Sequence, residues 1–226
     1  MKKKQEKTLR LIKYKSRSAV MNMALDEALF NNYLTVPVLR FYTWNGAYTT
    51  IGYFQKHAKL KKKNFTRRFT GGLTVYHEND ISYSFITSSN EWNFVYSQND
   101  TFKQIHLAIQ KALNNLDIHT ILLNSANDIT NDICVQTKYA NDLIYHDKKI
   151  LGSCSRRRGN KILVQGSLYI KLSDKQKNIL CEETAKNLTQ CMDREIIECD
   201  FTNTEIERAK VLAKKIYLNP QWNEKF

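Results

Sequence analysis

The chain has 226 residues, of which 42% are hydrophobic and 25% charged, and its formal net charge is +13. This composition excludes an intrinsically disordered protein, and the length favours one globular domain. No apolar run approaches the roughly 20 residues that cross a bilayer, and the basic residues 1–7 precede no apolar signal-peptide core. The sequence therefore predicts a cytoplasmic protein with no membrane partner.

The cysteine pattern excludes two further classes of protein. The five cysteines are odd in number and show no Cys-x-x-Cys spacing, which fits neither a disulfide framework nor a zinc site. We therefore expect free thiols in a reducing compartment and no metal centre. The five are Cys134, Cys154, Cys181, Cys191 and Cys199.

The first half of the chain alternates between helical and strand patterns. Residues 18–30 have apolar residues at helical spacing behind Ser18, a capping residue, and predict a helix. Residues 38–44 and 48–53 are rich in β-branched and aromatic side chains with Asn45-Gly46 between them, which predicts a hairpin or two neighbouring strands. Residues 73–76 and 81–86 alternate as strands, and residues 100–116 return to a helical period. The apolar face of that helix comprises Phe102, Ile105, Ala108, Ile109, Ala112 and Leu113.

The second half predicts a meander followed by helices. Residues 118–122 form a short strand candidate, and residues 124–132 are polar enough to be a loop. Residues 142–145, 149–152 and 162–170 predict consecutive antiparallel strands, which turn at 146–147 and 158–160. Helices are expected to close the chain, most clearly over residues 204–217. The predicted fold is α+β, a central mixed and largely antiparallel β-sheet flanked by helices, in a single domain over residues 1–226.

The most informative segment combines paired arginines with paired glycines. Arg67-Arg68 lead into Gly71-Gly72, and an alternating run through Val75 ends on His77. Arginine supplies forked donors for carboxylate or phosphate, and glycine lets a ligand approach the backbone closely. The segment predicts an anion site, although a simple hairpin turn beside a solvated basic face has the same pattern.

A second polar segment lies further along the chain. Asn141-Asp142 precede a strand that begins near Lys149 and leaves through Gly152-Ser153, and a third motif, Gly166-Ser167, follows. Taken alone, Lys149 at the start of a strand is more simply a solvated hairpin residue.

Taken together and in this order, these motifs resemble the catalytic domain of lipoate–protein ligases and the related octanoyltransferases, which have the biotin/lipoate ligase fold. The resemblance implies attachment of a lipoyl or octanoyl chain to one lysine of a small carrier domain. It also implies that Lys149 is catalytic and stabilises charge as the acyl group moves. The acyl- and adenylate-binding residues that it implies are Arg68, Gly71, Gly72, Val75, His77, Asn141, Asp142, Gly152, Ser153, Gly166 and Ser167.

The function predicted from this resemblance is that of a lipoate–protein ligase, which uses ATP and Mg²⁺ to activate lipoate or octanoate as an acyl-adenylate. The implied partners are acidic lipoyl carrier domains of 2-oxo-acid dehydrogenase complexes or the glycine-cleavage H protein, which suit the basic charge. We expect no C-terminal accessory domain, so the protein would either use a separate accessory chain for activation or only transfer a ready-made acyl group.

Two alternatives stay open. Cys134 lies upstream of Asn141-Asp142, where one group of octanoyltransferases carries a nucleophilic cysteine. It predicts a thioester mechanism that takes octanoate from acyl carrier protein without ATP. The remote alternative is nucleic-acid binding through the basic clusters 61–63 and 156–158, which we do not expect because no recognised module accompanies them.

Overall fold

The computed structural model describes residues 7–32, 36–59, 64–89, 97–125, 133–190 and 194–226. The helices are α1 (Ala19–Asn31), α2 (Gln98–Asn114), α3 (Asp174–Gln190), α4 (Asn203–Leu212) and α5 (Pro220–Asn223). The strands are β1 (Thr8–Ile12), β2 (Ser16–Arg17), β3 (Val38–Trp44), β4 (Tyr48–Ile51), β5 (Thr66–Arg67), β6 (Val75–His77), β7 (Ile81–Ser88), β8 (Ile121–Leu122), β9 (Leu143–Tyr145), β10 (Lys148–Arg158), β11 (Lys161–Leu168) and β12 (Glu195–Glu198). A 3₁₀ turn covers Cys134–Gln136, and a π-helical turn covers Ala213–Tyr217.

One large sheet organises the described part of the molecule. Its strand order is β12-β1-β3-β7-β11-β10-β9-β8, with β2 paired alongside β3. The pairs β1–β12, β1–β3 and β2–β3 are parallel, and the pairs from β3 through to β8 are antiparallel. A smaller sheet of order β5-β4-β6 packs beside it. The predicted α+β fold with a mixed, largely antiparallel sheet is confirmed.

Helices cover both faces of the large sheet, because alternate residues along each strand face opposite sides. On β7, Tyr83 and Phe85 belong to the core cluster shared with α2 and α3, whereas Ile86 belongs to the cluster shared with α1 and α4. Ser82 and Ser84 are polar residues between these apolar ones, and both are buried. Polar side chains therefore lie inside the molecule along the middle of the sheet.

Most elements predicted from periodicity are confirmed. Ser18 caps α1 by accepting a hydrogen bond from the Met21 backbone, and the predicted apolar face of α2 is buried in full. The turn between β9 and β10 places His146 and Asp147 at φ values of 46° and 59°, the left-handed pair that a two-residue hairpin needs. The predicted helix 204–217 is α4 followed by the π-helical turn.

The hairpin predicted between residues 38–44 and 48–53 is wrong. β3 lies in the large sheet between β1 and β7, whereas β4 pairs with β5 and β6 in the small sheet. Gly46 does not have the positive φ that a tight hairpin turn requires, so the chain crosses from one sheet to the other instead of folding back.

Several elements differ from their predicted positions or were not predicted. The strand predicted over residues 73–76 begins at Val75, and the one over 118–122 is only Ile121–Leu122. The sequence did not predict β1, β12 or α3. The strands β1 and β12 are short and lie at one end of the large sheet, and α3 is largely polar. Most of the predicted loop 124–132 lies outside the described residues, as do Cys191 and the basic cluster 61–63. No helix in the described ranges is both long and apolar enough to cross a membrane.

Candidate functional site

A cavity of about 580 Å³ opens between the large sheet, the small sheet and the start of α2. Its size is in the range of small-molecule binding sites, roughly 300–1,000 Å³. The apolar and aromatic side chains in its wall are Met23, Tyr42, Trp44, Leu73, Val75, Phe102, Tyr139 and Tyr169. Polar residues join them from the segments that the sequence singled out, so the cavity combines an apolar wall with a few polar groups.

Lys149 is a buried cation in the wall of this cavity. It enters from β10, and its Nζ donates to the Thr137 carbonyl oxygen at 2.8 Å and lies 2.7 Å from Asp142 Oδ2. Gly152 makes room for it, because a Cβ there would lie only 2.6 Å from Lys149 Cε. Burial raises the pKa of Asp142, and the neighbouring ammonium opposes that rise. The predicted solvated alternative for Lys149 is wrong.

The diglycine turn is held by backbone contact and by Arg68. A Cβ on Gly52 would lie 1.9 Å from the Gly72 carbonyl oxygen, and Gly72 itself has a φ of 87°. Arg68 Nη2 donates to the carbonyl oxygens of Gly71 and Leu73 at 3.0 and 2.8 Å. Arg68 Nη2 is therefore fully used in holding the turn. The buried Nε of Arg68 has no hydrogen-bond partner among the described residues.

His77 lies in the cavity wall with both ring nitrogens occupied. Arg68 Nη1 donates to Thr50 Oγ1 at 2.8 Å, so the Thr50 hydroxyl donates in turn to His77 Nε2 at 2.8 Å. His77 Nδ1 then carries the hydrogen that contacts Asp80 Oδ2 at 2.8 Å. Trp44 stacks on the ring at 3.7 Å between centroids, and burial lowers the pKa of His77. The ring is neutral and fixed in place, so it is not a free base.

Two thiols line the same cavity. Cys134 begins the 3₁₀ turn and is positioned by its backbone N–H, which donates to the Thr74 carbonyl oxygen at 2.9 Å. Burial raises the pKa of its thiol, and the charges of Lys149 and Arg68 act in the opposite direction. The second thiol, Cys154, was not singled out by the sequence.

Gln165, on β11, connects the cavity to a buried ion pair. Its Oε1 accepts from Thr70 at 2.7 Å and its Nε2 donates to Asp26 Oδ2 at 2.7 Å. Asp26 also lies 2.5 Å from Arg40 Nη1 and accepts from Ser84 at 2.8 Å. These carboxylate and guanidinium groups are almost completely buried.

The structure places eleven of the twelve predicted catalytic and binding residues, and Cys134, around this one cavity. Ser167 is in contact with Ser82 at 2.9 Å, and Gly166 leaves space for the Tyr83 ring, which a Cβ would approach to 2.3 Å. Asn141 is the exception. It is not a lining residue but has a φ of 73° and supplies its carbonyl oxygen to His106.

His106 is the polar residue that sequence reasoning missed. It lies on α2 one turn after Phe102, its ring is buried, and its Nε2 is 2.7 Å from Ser153 Oγ. The available signal was a histidine within the apolar stripe of the helix, since burial of such a ring requires polar partners. Across the described residues, no group of three or more histidine, cysteine or acidic side chains could hold a metal ion.

Comparisons with known proteins identify the family and the fold of the chain. A family model, the lipoyl protein ligase A/B catalytic domain, matches residues 18–202. The octanoyltransferase LipM of Clostridioides difficile is 29% identical over 96% of this chain and 98% of its own length. Ta0514, a putative lipoate protein ligase from T. acidophilum, has the same fold, with a TM-score of 0.77 and 21% identity over 98% of this chain and 100% of that one. A lipoate-protein ligase A bound with ATP superposes with a TM-score of 0.75 and 22% identity, over 97% of this chain and 98% of that one.

Proposed function

The chain belongs to the lipoyl protein ligase A/B catalytic-domain family, and from that membership we propose that it is an octanoyltransferase. It takes an octanoyl group from acyl carrier protein, holds it as a thioester on Cys134, and transfers it to a lysine of a lipoyl carrier domain without ATP. The observation that carries this proposal is a thiol in the wall of an acyl-sized cavity that also contains a buried lysine. The relatives named octanoyltransferase favour this alternative over the ATP-dependent ligase predicted first.

The cavity suits an eight-carbon chain. Aromatic and aliphatic side chains supply most of the wall, and burial of the chain contributes roughly 5 kcal/mol at about 0.8 kcal/mol per methylene. Arg68 has both terminal nitrogens engaged with the protein, which leaves it less able to bind a nucleotide phosphate with its full fork. The cavity is therefore better suited to bind an acyl chain than to bind a nucleotide phosphate at Arg68.

The proposed reaction has two steps. Cys134 sulfur attacks the carbonyl carbon of the donor thioester, a new C–S bond forms, and the donor thiol leaves with the proton that Cys134 gives up. The amine nitrogen of the acceptor lysine then attacks the same carbon, the C–N bond forms, and the C–S bond to Cys134 breaks. The amine proton returns to the Cys134 thiol. The Lys149 ammonium stabilises the negative charge that develops on the carbonyl oxygen in both steps.

The proposed acceptor is an acidic lipoyl carrier domain of a 2-oxo-acid dehydrogenase complex or the glycine-cleavage H protein. The net charge of +13 favours an anionic partner. Basic residues also continue directly from the cavity along β10, where Ser155 lines the cavity and Arg156 follows it. The Arg156 guanidinium lies 4.8 Å from the Tyr53 and Phe69 ring centroids, so these rings hold a cation beside the cavity.

Acylation of Cys134 is expected to speed up as the pH rises. Because burial raises the thiol pKa above its ordinary value of 9.0, the reactive thiolate is a minor species at neutral pH and increases through and beyond pH 9.0. Stopped-flow measurement of donor-thiol release over this range tests the expectation. A rate that levels off below pH 9.0, the ordinary thiol pKa, would contradict a buried, protonated thiol.

The proposed function is tested by locating the acyl group. The protein is incubated with octanoyl-acyl carrier protein, and intact-mass and peptide mass spectrometry follow the octanoyl adduct. We expect the adduct on Cys134, none in Cys134→Ala, and full labelling in Cys199→Ala, whose thiol lies outside the cavity lining and contacts Arg10. Octanoylation of Cys154 would contradict the assignment of the nucleophile.

A second arm separates the transferase from the ligase. A purified lipoyl domain is added with free octanoate or lipoate, with and without ATP and Mg²⁺. We expect modification of its lysine from octanoyl-acyl carrier protein alone. ATP-dependent modification from the free acids, with no adduct on Cys134, would instead support the lipoate–protein ligase.

A further inference from the structure

Ser153 lines the cavity close to the Lys149 ammonium. It follows Gly152, the residue whose missing side chain gives space to Lys149, and it faces Gly166 across the β10–β11 pair. A Cβ on Gly166 would lie 2.6 Å from Ser153 Oγ, so the serine hydroxyl needs this glycine. Lys149, Cys134 and Ser153 line the same cavity, and the charge of Lys149 acts to lower the pKa of both Cys134 and His106.

The hydrogens of this cluster can be assigned from its contacts. The Asn141 carbonyl oxygen only accepts, so His106 Nδ1 carries the hydrogen that it receives. Burial lowers the pKa of His106 to about 4, so the ring is neutral at physiological pH and Nε2 accepts. Ser153 therefore donates its hydroxyl hydrogen to His106 Nε2, over 2.7 Å.

Tyr83 completes the assignment. Its hydroxyl lies 2.6 Å from Ser153 Oγ, and because the serine hydrogen is already used, Tyr83 donates to Ser153. Burial raises the pKa of Tyr83, so it keeps this proton. Ser153 Oγ is left with one lone pair, and the residue borders the cavity. It presents an acceptor to the cavity, and it has no hydrogen left to donate to a carbonyl oxygen.

We infer that Ser153 Oγ, fixed by His106 and Tyr83, accepts a hydrogen bond from the attacking amine of the acceptor lysine and orients it toward the acyl carbon. This inference rests on the proposed octanoyl transfer. A neutral amine has two N–H groups, and fixing one of them on Ser153 sets the direction of the nitrogen lone pair. Ser153 is a catalytic residue for the second step, and His106 is a positioning residue. No proton leaves through the pair, since the amine proton goes to the departing Cys134 sulfur.

The test separates the two half-reactions of the full-length protein. Octanoyl-Cys134 is formed from octanoyl-acyl carrier protein, the donor is removed, and a purified lipoyl domain is added. For Ser153→Ala we expect formation of octanoyl-Cys134 within about twofold of the parent, while its transfer to the lysine slows by about tenfold or more, the scale of one lost hydrogen bond in the transition state.

His106→Asn tests the positioning role. The shorter amide donates to the Asn141 carbonyl oxygen but does not extend to Ser153, so the serine hydroxyl is free to turn and its acceptor lone pair is no longer held toward the amine. We expect the same selective slowing of the second step. The matched controls are Ser173→Ala and His146→Asn, at exposed positions outside the cavity lining, and both should transfer at the parent rate.

Three outcomes would overturn the inference. Unchanged transfer in Ser153→Ala would remove the amine contact, and equal slowing of both half-reactions would assign the serine to acyl binding or folding. If His106→Asn does not fold, Ser153→Ala alone decides the question. That substitution removes only the serine oxygen, so the variant is expected to fold. Absence of any octanoyl-Cys134 in the parent protein would overturn the proposed function itself, and this inference with it.

Discussion

Replacing Lys149 with methionine is expected to lower the rate of octanoyl transfer by about 10³-fold, the upper effect of removing one donor to a developing oxyanion. The ammonium is buried and directed into the cavity by the Thr137 carbonyl oxygen and Asp142. Its charge also opposes the raised pKa of the Cys134 thiol. Its removal therefore weakens both the nucleophile and the stabilisation of the tetrahedral intermediate. Single-turnover formation of octanoyl-Cys134 measures the loss.

Lys148→Met is the matched control for this change, because Lys148 is the adjacent residue on β10 and is exposed. It should transfer at the parent rate. Removing Lys149 alone leaves Asp142 buried without its cation, which destabilises the fold independently of catalysis. The double variant Lys149→Met with Asp142→Asn removes that residual charge. If the double variant regained transfer, Lys149 would be structural rather than catalytic.

Replacing Asp26 with alanine is expected to lower the free energy of unfolding by about 3–5 kcal/mol, the cost of leaving a buried charge without its partner. Asp26 is fully buried and lies 2.5 Å from Arg40 Nη1, and it also accepts from Ser84 and Gln165. These three partners lose this acceptor in the variant, as does Tyr42, whose hydroxyl donates to Asp26 Oδ2 at 3.3 Å. Chemical denaturation, with transfer activity followed in parallel, measures the effect.

The control for this stability change is Asp174→Ala. Asp174 pairs with Lys177 at 2.9 Å but its side chain is 95% exposed, so the variant should lose less than about 1 kcal/mol. The double variant Asp26→Leu with Arg40→Met removes both charges and should lose less than the two single variants together. A loss for Asp26→Ala as small as that of Asp174→Ala would show that the ion pair contributes little to the fold.

Sequence patterns identified the parts of the fold in which local periodicity and burial agree. α1 begins where Ser18 predicts it, and the apolar stripe of α2 packs as its spacing requires. The parallel pairing of β1 with β12 joins strands at opposite ends of the sequence, and no local pattern carries that information. The chain between β3 and β4 has turn residues, but β4 pairs with β5 and β6, and β5 and β6 lie further along the sequence than a local turn pattern can indicate.

The part of the candidate site that lies in recognisable sequence motifs was predictable. Lys149, Gly72 and Ser153 stand out because glycine and charged residues are unusual neighbours of buried strands. His106 and Cys154 belong to elements with ordinary patterns, and only the packing of α2 and β10 brings them to the cavity. The sequence favoured ATP-dependent ligation because Asn141-Asp142 looks more like the pattern of the ligases, and residues 135–138 beside Cys134 lack those usual in the octanoyltransferases.

The β1–β12 pair also affects how the protein is made. During synthesis β1 leaves the ribosome well before its outer neighbour β12, which is translated only when residues 195–198 are reached. Until then one edge of β1 exposes unpaired amide and carbonyl groups that other chains can join. Long-range parallel pairing also slows folding. We therefore expect nascent chains that stall before β12 to aggregate more readily than chains that include it.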